Sequence, residues 1–278
     1  MFTGPEEQYF QPTMEQPTTT NADNIHLVMQ ASLHLIDFER EEKNLDLRAV
    51  HSLILSGTIQ MDKAIDAAGN RPLHLCAQKG DLPLMQDLVK RKGACLAAVN
   101  NIGNTPLHTA CWFGHADMVH WLLREELEEQ VLIDATNKSM STPLHLACYR
   151  GHTMVAKILL DACGVYIAEE DGNGNTALHV ASWSGHLDTV NFLIQTEGTV
   201  HIIYQRTLAG NTALHLAAWM GHLSVIKRLV ELAGRWILSI RNHEHKTALK
   251  LATHNNHYEV ARWLRQEEEL YNQGLHAG

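Results

Sequence analysis

Thr142-Pro143-Leu144-His145-Leu146-Ala147-Cys148-Tyr149-Arg150-Gly151-His152 is one instance of a pattern that fills most of this chain. A Thr followed at once by Pro reads as a helix start. The hydroxyl accepts from a free backbone N–H, and Pro occupies a position where a missing N–H costs nothing. Leu144, Leu146 and Ala147 are apolar or small, so this short helix can lie close to a neighbour. Gly151 stops it by tolerating a left-handed backbone. Met154, Val155, Ile158 and Leu159 then recur at helical spacing, and a second helix is expected to end near Ala162-Cys163-Gly164. Asp171-Gly172-Asn173-Gly174-Asn175 is turn chemistry for a hairpin that leads to the next Thr.

The stretch recurs at Thr105, Thr176 and Thr212, each with Leu-His two residues on and Gly-His nine residues on: Gly114-His115, Gly185-His186 and Gly221-His222. A weaker copy begins Arg71-Pro72-Leu73-His74 and reaches Gly80-Asp81; a degenerate one begins Thr247-Ala248-Leu249-Lys250 and reaches Asn256-His257. Start-to-start spacings are 34, 37, 34, 36 and 35 residues. Self-similarity at this period marks a solenoid, because one helix–turn–helix unit cannot bury its apolar faces alone. With Thr-Pro-Leu-His-x-Ala as its core, the pattern resembles the ankyrin-repeat family over roughly residues 58–266. The resemblance implies an all-α ankyrin-repeat solenoid of stacked helix–turn–helix units with connecting β-hairpin loops.

Around that array, residues 1–24 are rich in Pro, Gln, Glu and Thr and read as a disordered arm. Residues 25–60 carry two apolar stretches and read as a diverged helical N-terminal cap; a separate helical pair packed on the first repeat is the other reading. The solenoid is assigned to 61–266 and a C-terminal tail to 267–278. Arg124–Gln130 carries four Glu and reads as a solvated helix end or, functionally, an acidic docking knob.

The composition is 45% hydrophobic and 19% charged, as in folded proteins, and no run of 18 apolar residues exists to span a membrane. Met1–Thr20 lacks the basic and apolar regions of a signal peptide. A net charge of −9 argues against nucleic acid as a ligand. Cys76, Cys111 and Cys148 fall in small-residue motif slots and read as buried fillers, while Cys95 and Cys163 lie at helix–loop ends. The count of 5 is odd and no C-x-x-C pair occurs, so a reducing cytoplasmic or nuclear setting is expected.

Nineteen His invite a metal or catalytic reading, but ten fall in the two motif slots. In ankyrin repeats the Leu-His histidine bonds the Thr at the helix start and nearby backbone. No set of about four ligands at zinc spacing is present, nor a phosphate loop or nucleophile motif. No metal, cofactor or catalytic residue is therefore assigned, and the chain is read as a non-enzyme.

The resemblance places binding at the two residues before Gly-His, which line a concave groove, and at the hairpin tips. The seventh residue after each motif start is Gln78, Trp112, Tyr149, Trp183, Trp219 or His254; the eighth is Lys79, Phe113, Arg150, Ser184, Met220 or Asn255. Trp112, Tyr149, Trp183 and Trp219 form a column at one repeat per step, about 10 Å apart. They read either as packing between first helices or as a contiguous exposed patch of hot-spot residues. The second reading is adopted, with Phe113 and Met220 alongside and Arg150 as the anchor for a ligand carboxylate. Secondary candidates at the tips are Asn101, Ile102, Lys138, Leu208, His243 and Glu244. Trp121 and Trp263 are expected in the core, and Trp236 across the gap between the last two repeats.

The function read from these residues is a monomeric protein–protein interaction module. It would act as adaptor, scaffold or inhibitor and hold a peptide or protein segment in the groove. A second reading is a secreted bacterial effector acting in the host cytosol, because Glu267-Glu268-Glu269 with Leu275 resembles a type IV secretion tail. A solubilising helix end is the plainer account of those Glu residues. A third reading is a regulatory subunit of an enzyme.

Overall fold

A computed structural model of the chain describes residue 52 and residues 60–123, 133–162, 165–196 and 200–276. The arm, nearly all of the cap, Arg124–Gln130 and Cys163 lie outside the described residues. The described residues form twelve α-helices in six pairs: α1 (Pro72–Lys79) and α2 (Leu82–Lys92), α3 (Pro106–Phe113) and α4 (Ala116–Leu122), α5 (Pro143–Tyr149) and α6 (Thr153–Asp161). Then come α7 (Ala177–Ser184) and α8 (Leu187–Gln195), α9 (Ala213–Met220) and α10 (Leu223–Ala233), α11 (Ala248–His254) and α12 (Tyr258–His276). Short 3-10 turns, Val200–Tyr204 and Arg235–Ser239, follow α8 and α10. Each first helix packs on the first helix of the next repeat, α1 on α3 through α9 on α11. The second helices form a parallel row, α4 on α6, α6 on α8 and α8 on α10. One apolar core runs between the rows, from Leu73 and Met85 to Val260 and Leu264.

Two histidine ladders tie the repeats together. In the first, the Thr at each helix start caps N3 in a box whose N3 residue is His rather than the usual Glu. Nδ1 of His74, His108, His145, His179 and His215 accepts the backbone N–H of Arg71, Thr105, Thr142, Thr176 and Thr212 at 3.2 Å. Nε2 of the same rings donates to the carbonyls of Asn104, Ser141, Asn175, Gln205 and Lys246 in the next repeat at 2.8–3.2 Å. A carbonyl only accepts, so Nε2 carries the proton, and the Thr hydroxyls donate to Nδ1. Burial pushes His74, His108, His179 and His215 down to about 4 and lowers His145, keeping all five neutral.

The second ladder runs the other way. Nε2 of His115, His152, His186, His222 and His257 donates back to the carbonyls of Gln78, Trp112, Tyr149, Trp183 and Trp219 at 2.8–3.1 Å. Those carbonyls end the first helices and lack an intrahelical partner. The ring reaches them because the preceding repeat has a left-handed Gly just past the end of its first helix. A Cβ built on Gly114, Gly151, Gly185 or Gly221 would lie 2.5 Å from Nδ1 of His152, His186, His222 or His257. The Gly-His pair is thus a notch in one repeat and the plug of the next.

The loops close as hairpin turns, and no β-strand is present among the described residues. N–H of Asn100, Asn137, Asp171, Thr207 and Asn242 donates to the carbonyl four residues on at 2.8–3.0 Å. One backbone bond joins each loop to the one before, such as Lys138 N–H to Ile102 O at 3.0 Å and Leu208 N–H to Asn173 O at 2.9 Å. Beneath them, Nδ2 of Asn100, Asn137 and Asn242 donates to Oδ1 of Asn70, Asn104 and Asn211, each at 2.9 Å. Asp171 and Thr207 interrupt that amide ladder, since neither carries an NH2 group to donate.

The solenoid boundary expected at 266 falls inside α12, which runs on to His276 through most of the segment assigned to the tail. Cys76, Cys111 and Cys148 are buried, and burial raises all three thiols, that of Cys76 to about 12. Trp121 is in the core and Trp263 is half-buried. Trp236 packs on Tyr204 with ring centroids 5.0 Å apart and stays 44% exposed, while Ile237 and Leu238 beside it are buried.

Candidate functional site

The seventh and eighth residues after each motif start close the first helices, and here the column of aromatics divides. Trp112, Trp183 and Trp219 are only 2%, 3% and 5% exposed, so the expectation of an exposed patch made of them is corrected. The reason is the fifth residue of the next copy. Trp112 clusters with Leu146 and Val180, and Trp183 and Trp219 cluster with Leu216 and Leu251. These indoles build a second strip of core, separate from the one between the helix rows, and half-buried Tyr149 borders both parts of it. For the three Trp the packing reading of the slot holds.

What the strip leaves outside is a narrower set. Phe113, Tyr149 and Met220 are half-buried against it, Ser184 and Asn255 are half-buried, and Lys79, Arg150 and His254 are exposed. Tyr149 stacks on Trp112 with centroids 5.7 Å apart and planes 9° from parallel. The guanidinium carbon of Arg150 lies 5.0 Å from the centroid of the Trp112 ring. The buried indole thus serves as a platform for the exposed cation. Phe113 stacks on His115 at 6.3 Å. Of the twelve residues in these two slots, only Lys79 and Arg150 are charged at neutral pH, and none is a carboxylate, in a chain of net charge −9.

The hairpin tips are exposed at Asn101, Lys138, Leu208, His243 and Glu244 and half-buried at Ile102. Several of their polar groups are already used. Asn101 donates to the preceding loop through its backbone N–H and through Nδ2, to Ala68 O and Ala67 O, both at 2.9 Å. Glu244 pairs with Lys246 at 2.8 Å. Leu208 is 69% exposed, and Met140 two loops earlier, not among the candidates from sequence, is 56% exposed with φ of 58°. Glu267 is held by Arg235 at 2.6 Å and burial raises Glu268, so two of the three tail glutamates are half-buried. No group of three or more His, Cys, Asp or Glu side chains able to hold a metal occurs among the described residues. No described helix is long and apolar enough to cross a membrane.

A family model described as ankyrin repeats matches the chain in three copies, over residues 41–131, 125–203 and 198–273. NF-kappa-B inhibitor zeta of Homo sapiens is 28% identical over 184 residues, which is 59% of this chain and 23% of that protein. Synphilin-1 of Mus musculus is 28% identical over 170 residues, 56% of this chain and 18% of that protein. The Caenorhabditis elegans homolog of transient receptor potential cation channel subfamily A member 1 is 31% identical over 212 residues, 76% of this chain and 17% of its own length. The chain spans less than a quarter of each, so what it shares with an inhibitor and with a channel is a run of repeats.

Proposed function

The chain belongs to the ankyrin-repeat family, and on that footing we propose that it binds an extended peptide or protein segment across Phe113, Tyr149, Arg150 and Met220, as an adaptor, scaffold or inhibitor. The observation that carries this reading is the surface left above the buried indoles. Two aromatic rings and a thioether lie partly open there beside a guanidinium laid on Trp112. A planar guanidinium held this way offers N–H donors to a carboxylate without first losing side-chain freedom. Large apolar groups next to such a cation are the composition of binding hot spots. The proposed ligand is an acidic segment carrying aromatic or aliphatic side chains.

The test is affinity capture with the full chain and with a Phe113→Ala/Tyr149→Ala/Arg150→Ala/Met220→Ser variant whose circular dichroism and melting match the parent. A partner lost by the folded variant supports the reading. A partner retained moves the site away from this face. Substituting Trp112, Trp183 or Trp219 cannot serve, because their loss removes core.

A further inference from the structure

Resting on that reading of the inner face, we propose that the face has an occupant in cis: the chain's own segment Gly4–Thr13, with Glu6 and Glu7 facing Arg150 and Tyr9-Phe10 against Tyr149 and Phe113. Charge favours this pairing. The two slots that form it carry Lys79 and Arg150 and no carboxylate, although the chain as a whole is acidic. Residues 1–24 carry Glu6, Glu7, Glu15 and Asp23 and no Lys or Arg. Opposite signs within one molecule steer the two surfaces together.

The side chains match as well. Tyr9-Phe10 is the one pair of adjacent aromatics in that segment, and it follows the paired glutamates after a single Gln. The face offers the same alternation in reverse, with Tyr149 next to Arg150 and Phe113 one repeat away. Pro5 and Pro12 flank the stretch, and each biases the residue before it to an extended backbone. A segment restrained in this way loses less entropy on docking than a free coil.

Reach is sufficient. Residues 11–24 number fourteen and span up to about 46 Å at about 3.3 Å each. Helices pack about 10 Å apart. Pro72 therefore lies two layers, about 20 Å, from the Tyr149 layer, less than half of that length.

Two measurements on the full chain decide it. With photoreactive benzoylphenylalanine at position 10, irradiation and mass spectrometry should find intramolecular links to the peptides carrying Phe113, Tyr149, Arg150 or Met220. Links to another face, or only between molecules, would overturn the proposal. A synthetic peptide of residues Gly4–Thr13 is then titrated against the full chain and against the Glu6→Gln/Glu7→Gln/Tyr9→Ala/Phe10→Ala chain. With the competing segment disabled, the peptide should bind about tenfold more tightly, and Arg150→Glu added to that variant should abolish binding. Equal affinity for both chains rules out the cis contact. Partner capture reports on the face itself, so cross-links elsewhere with capture still lost in the four-residue variant would sink only the occupant.

Discussion

Each Gly-His pair works because its two residues serve different repeats. Gly185 takes a left-handed φ of 78° to end α7, and it also leaves the space that His222 of the next repeat fills. Gly185→Ala should therefore cost more than the about 1–2 kcal/mol of a left-handed Ala, because the imidazole must also move. Removing the ring should return part of the loss: in urea unfolding, Gly185→Ala/His222→Ala should be less destabilised than the sum of its single substitutions. Additive effects would show that the ring does not depend on the notch. Trp183 presents the opposite case, a large side chain taken up by the core strip. Trp183→Ala should cost about 3–5 kcal/mol, whereas Arg150→Ala should change stability by less than about 0.5 kcal/mol and still lose the partner.

At the level of the element, the loops divide into matched and mismatched neighbours. Asn137 accepts the N–H groups of Ser139 and Ser141 and donates to Asn104 of the previous loop. At the next step the amide is replaced by Asp171, and the slot facing it holds Ser141, whose Oγ has no hydrogen-bond partner among the described residues. Restoring both amides with Ser141→Asn/Asp171→Asn should show a favourable coupling of about 1 kcal/mol in a double-mutant cycle; zero coupling would mean that the ladder contributes nothing across that joint. The helices themselves were legible in single copies, because Thr-Pro starts them and Gly stops them. The boundary drawn at 266 cuts α12, since Arg265-Gln266-Glu267-Glu268-Glu269-Leu270 favours helix and contains no stop. The burial of the indoles and the amide ladder were not legible in one copy at all. Their partners are a whole repeat away, and only paired copies show Trp112 with Leu146 and Trp183 with Leu216, against Gln78 with Thr109. The platform under Arg150 followed from the same hidden packing.

For the molecule as a whole, the first histidine ladder makes acid a shared stress. His74, His108, His179 and His215 titrate at about 4 when folded, and near 6.5 when unfolded. Between those values the unfolded chain binds more protons, so stability falls as the pH drops. Each such His contributes about 1.4 kcal/mol per pH unit across the window. Above about pH 7 both states are neutral at these rings and the term vanishes. Urea midpoints measured from pH 7.5 down to 4.5 should hold level at first and then fall steeply. A flat profile to pH 4.5 would mean that the rings are already protonated in the fold.

The same joints also determine where stacking halts. At the last Gly-His site the glycine is replaced by Asn256, with φ of 62°, and the Leu-His histidine is replaced by exposed Lys250. An additional unit added in the same register would have to seat an imidazole where the Cβ of Asn256 already stands. This face is a chain terminator in the polymer chemist's sense: it accepts the preceding monomer and offers no socket to another. Anyone wishing to lengthen the array by grafting would have to reopen it with Asn256→Gly before any choice of what to add.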